Sequence, residues 1–181
     1  MTQSGAGQAG RRGGGRVIQH VTQNNNGIAN DCAPACFVMA VNAHRGTEYT
    51  IPQVDQDIQN VPNGVTSVAR LINAFRSYKV PALDAEYRDP HWCKSMLNAG
   101  HILIPLTKRS TTGYIGNHYM LLHGRVEFGL VSVWDPMQDT GPLPWSFDEI
   151  MSWVVNGNVI ALADPLFPSV KQEIIRLVMQ L

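Results

Sequence analysis

The sequence has little cysteine, no charge of one sign to spare and no long apolar run. Three cysteines in 181 residues is an odd number, and Cys32 and Cys36 stand four apart on what reads as one helix, a poor geometry for a bridge. A disulfide framework is therefore not expected, and the chain suits a reducing compartment. No Cys-x-x-Cys pair, no His-Glu-x-x-His and no acidic calcium loop occurs, so neither a metal nor any other cofactor is expected. Formal net charge is +0, with no long basic run, which argues against nucleic acid or an anionic membrane as partner. The four tryptophans are scattered and not interleaved with basic residues, as a base-stacking platform would need. No window approaches the length of a membrane span, and residues 1–16 hold Gly, Gln and Arg without an apolar core, so no anchor or secretory signal is read and a cytoplasmic protein is expected.

What remains is a chain with 44% hydrophobic residues, enough to bury a core without staples. Residues 1–16, with Gly13-Gly14-Gly15 between arginines, read as a flexible tail, and 17–181 as one domain. The glycines of that tail follow no strand and open no helix, which is not the context of a phosphate-binding loop.

Most informative is Asn30-Asp31-Cys32-Ala33-Pro34-Ala35-Cys36-Phe37. Asp31 suits an N-cap, Pro34 the first turn, and Cys36 to Val41 an apolar helical run. Cys32 then stands at a helix N-terminus, where unpaired N–H groups and the helix dipole favour thiolate over thiol. Two further segments complete a chemistry. Gly116-Asn117-His118-Tyr119-Met120-Leu121-Leu122-His123-Gly124 reads as a strand opening on a histidine, and Val131-Ser132-Val133-Trp134-Asp135-Pro136 as a strand closing on an aspartate. A thiol, an imidazole to take its proton and a carboxylate to orient the imidazole are what thiol acyl transfer requires. His118 and His123 lie an odd number of residues apart and face opposite sides of a strand. His118 is preferred as base because it follows the loop at 113–116 and would share the helix-facing side with Met120 and Leu122. His123 then reads as a rim residue, and His20, His44, His91 and His101 as surface or packing residues.

These residues resemble the papain-like cysteine peptidases of the bacteriocin-processing, or double-glycine leader peptidase, type. There a glutamine precedes an Asp-Cys-Gly start, a histidine opens an apolar strand ending in glycine, and Asp-Pro closes the next strand. The resemblance covers roughly 17–164 and implies Cys32 as nucleophile, His118 as base, Asp135 as its orienter and Gln23 as oxyanion donor. Ala33 stands where the family has glycine, which keeps the backbone N–H but adds a Cβ. Gln23 lies nine residues before the thiol, with Gln19 and Asn24-Asn25-Asn26 as competing amides. The seventeen residues from His118 to Asp135 suit a hairpin of two short strands.

Coarse periodicity predicts helices at 51–59, from 65 to about 78, from Asp89-Pro90 to Gly100, at 146–154 and at 170–181. A turn is read at Asn63-Gly64, and strands at 83–87, 101–106 and 159–163. Helices in the first half and strands in the second favour α+β: a helical half carrying the nucleophile, packed on an antiparallel sheet carrying His118 and Asp135. The function expected is a cysteine peptidase or amide hydrolase acting on a peptide or protein, with acyl transfer to an amine or thiol also open. The alternative is a catalytically silent peptide-binding or structural module of the same fold, as part of a phage or other assembly. The sequence carries no reading of oligomeric state.

Overall fold

The computed structural model describes residues 17–23, 31–58, 66–85 and 89–163. The tail at 1–16, the amides at 24–26, the turn at 63–64 and the helix expected at 170–181 lie outside the described residues.

The first helix, α1 (Cys32–Arg45), carries the apolar run read from the sequence. Every residue from Cys32 to Val41 is buried, as a helix apolar all round must be. Gly46 ends it in the left-handed conformation, φ 66°, where its N–H reaches Asn42 O at 2.8 Å. The start differs from expectation. Asp31 holds the N-cap position but makes no side-chain capping bond, because its φ −85° and ψ 24° are not the extended geometry that turns a cap side chain back over the first amides. Its carbonyl accepts from Ala35 N at 2.8 Å, and the residue is fully buried.

Two short helices, α2 (Ile51–Ile58) and α3 (Val68–Ser77), pack against α1. Ser67 caps α3 through Arg70 N at 3.3 Å. Phe37 of α1 meets Phe75 with ring centroids 4.6 Å apart and Tyr78 at 5.1 Å, which joins α1 to α3 and its C-cap. After β1 (Ala82–Asp84), α4 (Pro90–Asn98) starts as read, with Pro90 in its first turn and Asp89 accepting from Trp92 N at 2.7 Å.

Beyond α4 come β2 (Ile102–Arg109), β3 (Ile115–Tyr119), β4 (Leu121–Glu127), β5 (Leu130–Trp134), β6 (Leu143–Ser146), α5 (Phe147–Trp153) and β7 (Val154–Leu162). All pairings are antiparallel, in the order β1-β7-β2-β4-β5-β6, with β3 also on β2. The α+β arrangement is as expected. Alternation along the strands feeds two cores: Ile102, Ile104, Leu106, Tyr119 and Leu121 join α1–α3 on one side, while Leu103, Met120, Leu122, Val131 and Val133 join α4 and α5 on the other.

Several strand boundaries depart from the sequence reading: β1 ends at Asp84, and the strand read at 116–124 is two, β3 and β4, broken at Met120. β2 runs past Leu106 to the exposed Lys108 and Arg109, because pairing with β3 continues where burial stops. β6 went unread, and its Pro144, which has no N–H to give to a ladder, carries no strand signal. Among the described residues it is an edge strand, paired with β5 alone, a place where proline costs little. β7 begins five residues early, at Val154, because Asn156 and Gly157, with φ 51° and 71°, form an irregularity within the strand instead of ending it.

Candidate active site

Cys32 is the first residue of α1 and its side chain is nearly buried, at 8% exposure. A helix start leaves backbone N–H groups without partners inside the helix. Pro34 has none to leave, so Cys32 and Ala33 supply those closest to the sulfur.

His118 approaches from β3. It is the fourth residue of that strand and not its first, since pairing with β2 already begins at Ile115. Its row differs from expectation too: Met120 and Leu122 enter the core beneath α4, and Tyr119 and Leu121 the core beneath α1. His118 lies beside Cys32 at the first turn of α1, near enough for the thiol to help hold a proton on the imidazole. Thr107, its partner on β2, has its hydroxyl 2.7 Å from the Arg109 carbonyl and 3.0 Å from the His118 carbonyl, its one proton lying between the two.

Asp135 follows β5 immediately and is fully buried. β5 pairs with β4 and not with β3, so Asp135 and His118 come from strands that do not pair with each other, β4 following β3 after the break at Met120. His118 Nε2 and Asp135 Oδ1 are 2.7 Å apart. A carboxylate accepts, so Nε2 carries a proton and Nδ1 is the ring nitrogen left to exchange a proton with the thiol. Oδ1 also accepts from Met137 N at 2.9 Å, and Oδ2 from Thr111 N at 2.7 Å and Thr111 Oγ1 at 2.6 Å.

The electrostatics follow from these contacts. Burial alone would lower the His118 pKa, but the bond to Asp135 and the neighbouring Cys32 outweigh it and push the imidazole up to about 9. Burial alone would raise Asp135. The His118 bond, its field, and the Thr111 and Met137 donors hold the carboxyl below its usual value instead. Cys36, one helical turn from Cys32, is pushed well up by burial, and Cys93 is pushed up to about 12 for the same reason. All three cysteines are free.

Gln23 is buried at 8%, and its backbone N–H donates to Pro136 O at 2.9 Å, which pins this segment beside Asp135. Its side-chain Oε1 is buried without a hydrogen-bond partner. Of the competing amides, Gln19 is exposed. His123 is half-buried with its ring 6.3 Å from that of Trp134, outside the Cys32–His118–Asp135 cluster. Sequence reasoning missed Thr111, Gln138 and His20. Gln138 Nε2 donates to Thr111 Oγ1 at 2.9 Å and His20 Nε2 to the Gln138 carbonyl at 2.9 Å. The only sequence signal for them is the hydroxyl-rich Ser110-Thr111-Thr112-Gly113 loop, which does not reveal a partner twenty-four residues away.

Among the described residues, no three His, Cys, Asp or Glu side chains gather as a metal site, and no helix is long and apolar enough to cross a membrane. A surface pocket of about 290 Å³, lined by Arg45, Thr47, Tyr49, Ser77, Tyr78 and Lys79, lies at the other end of α1. At 1.5 Å per residue that is about 20 Å from Cys32.

No protein-family model matches the sequence, and no curated protein matches it. Solved structures do. The peptidase domain of Streptococcus ComA, a bifunctional ABC transporter of a quorum-sensing pathway, is 18% identical with a TM-score of 0.61, covering 81% of this chain and 98% of its own. A double-glycine-motif protease from an AMS/PCAT transporter, solved with its leader peptide, is 19% identical with a TM-score of 0.61, covering 82% and 91%. A C39-like peptidase from Bacillus anthracis is 12% identical with a TM-score of 0.66, covering 81% and 94%. The helical half and the antiparallel sheet of this chain have the papain-like fold of C39 peptidase domains.

Proposed function

We propose that the protein is a cysteine peptidase or amide hydrolase in which Cys32, His118 and Asp135 form the catalytic triad. One observation carries the reading: a buried imidazole bonded on Nε2 to a fully buried carboxylate and lying beside a thiol at a helix N-terminus. His118 Nδ1 takes the Cys32 proton, and the thiolate attacks the carbonyl carbon of the substrate amide. The oxyanion so formed is met by the Cys32 backbone N–H and the Gln23 side-chain amide, donors of a kind whose removal costs about 10²–10³ in rate. Collapse breaks the C–N bond, and the imidazolium gives its proton to the departing amine. His118 then deprotonates a water that attacks the thioester, releasing the acid and restoring the thiol.

A peptide is the substrate class this reading favours, and the fold supports it. The AMS/PCAT relative was solved with a leader peptide bound. The test is alkylation of the full chain with iodoacetamide at neutral pH, followed by peptide mapping. Cys32 labels faster than Cys36 and Cys93, and Cys32→Ala abolishes hydrolysis of any peptide the wild type cleaves. Equal labelling of the three cysteines would return the protein to the silent-module reading.

A further inference from the structure

We infer that Thr111, itself fixed by Gln138, is a positioning residue that sets the plane of the Asp135 carboxylate for His118. The inference rests on the triad reading above and adds to it a residue outside the triad.

A carboxylate can rotate about its Cβ–Cγ bond, and one hydrogen bond to an imidazole does not stop it. Asp135 has donors on both oxygens: His118 Nε2 and Met137 N on Oδ1, Thr111 N and Oγ1 on Oδ2. The two Thr111 bonds, at 2.7 and 2.6 Å, hold the oxygen that faces away from the histidine and so aim Oδ1 at Nε2. The direction of the hydroxyl bond is itself determined. A threonine hydroxyl has one proton, and Gln138 Nε2 donates to the same oxygen at 2.9 Å, so that proton goes to Asp135.

Gln138 is well anchored for this task. Its backbone N–H donates to the Asp135 carbonyl at 2.9 Å, and its carbonyl accepts from His20 Nε2. A continuous chain of bonds thus runs His20, Gln138, Thr111, Asp135, His118. It joins the 17–23 segment, the turn after β5, the β2–β3 loop and β3, and ends beside Cys32 of α1. The loop carrying Thr111 is closed on itself by Ser110 N to Tyr114 O at 3.0 Å and Gly113 N to Ser110 O at 3.2 Å, so Thr111 is presented on a braced turn. Half-buried and outside both apolar cores, it is not needed to fill space.

The test uses the full chain with Thr111→Val, Thr111→Ser and Gln138→Leu, and reads two quantities. One is the rate of Cys32 alkylation by iodoacetamide; the other is the downfield Nε2–H proton resonance of His118, which reports its bond to Asp135. Thr111→Val is expected to slow alkylation about tenfold, the scale of one lost bond to a charged group, and to broaden or abolish the resonance. Thr111→Ser keeps both near wild type, and Gln138→Leu falls between, at about threefold. A Thr111→Val protein with wild-type rate and resonance, or a Thr111→Ser protein as impaired as Thr111→Val, overturns the inference. Should Thr111→Val not fold, Gln138→Leu decides, a wild-type rate and resonance overturning it. Failure of the triad reading looks different: His118→Ala would then leave Cys32 labelling unchanged, while the resonance in Thr111→Val still judges Thr111.

Discussion

Asp135 is a charged group with no exposure, and such a group is tolerable only when its bonds replace the water it has lost. Four donors do so. Removing the carboxylate entirely strands the imidazole and the two amides that faced it. Asp135→Ala is therefore expected to destabilise the fold by about 3–5 kcal/mol in denaturant titration, the range for breaking a buried pair. Asp135→Asn keeps an oxygen for Nε2 and should cost less, with a larger share of Cys32 reactivity retained. The thiols offer a parallel contrast. Burial holds Cys36 and Cys93 protonated at neutral pH, so neither competes as nucleophile.

The elements were legible in the sequence where their periodicity and caps were strong, and less so where pairing alone defines them. Asp89-Pro90 announced α4 and the run from Cys36 to Val41 announced α1, since local chemistry decides both. β6 and the early part of β7 were not legible, because an edge position excuses proline and a bulge accommodates Asn156-Gly157 within a strand. The residues of the proposed triad could be picked out from their motifs. Thr111 and Gln138 could not, since the bond to Asp135 spans twenty-four residues and the one to Thr111 twenty-seven. The β4–β5 turn carries a further prediction. Phe128 and Gly129 both have positive φ, 52° and 78°, and Phe128 is fully exposed, so a bulky side chain occupies a left-handed position without packing in return. Phe128→Asn is expected to stabilise the protein by about 0.5–1 kcal/mol, a rise of about 2 °C in Tm by calorimetry. Phe37→Ala should cost about 3–5 kcal/mol, because Phe37 has no exposure and joins α1 to α3.

For the molecule as a whole, the His118–Asp135 pair links stability to pH. The folded-state pKa of His118 lies above its ordinary 6.5, so its contribution is complete below about 6.5 and is lost as pH rises through about 9. Asp135 lies below its ordinary 3.8, so its contribution is complete above that value and is lost as pH falls. Tm should accordingly decline between about pH 6.5 and 9, and His118→Gln should flatten that slope. A slope unchanged in the variant would assign it to other groups.

The central claim is that His118 activates Cys32, and the rate of Cys32 alkylation by iodoacetamide at pH 7 in wild type, His118→Ala and His123→Ala tests it most directly. His118→Ala is expected to reduce the rate at least tenfold while His123→Ala leaves it unchanged. Equal rates in wild type and His118→Ala, or a loss confined to His123→Ala, would contradict the account.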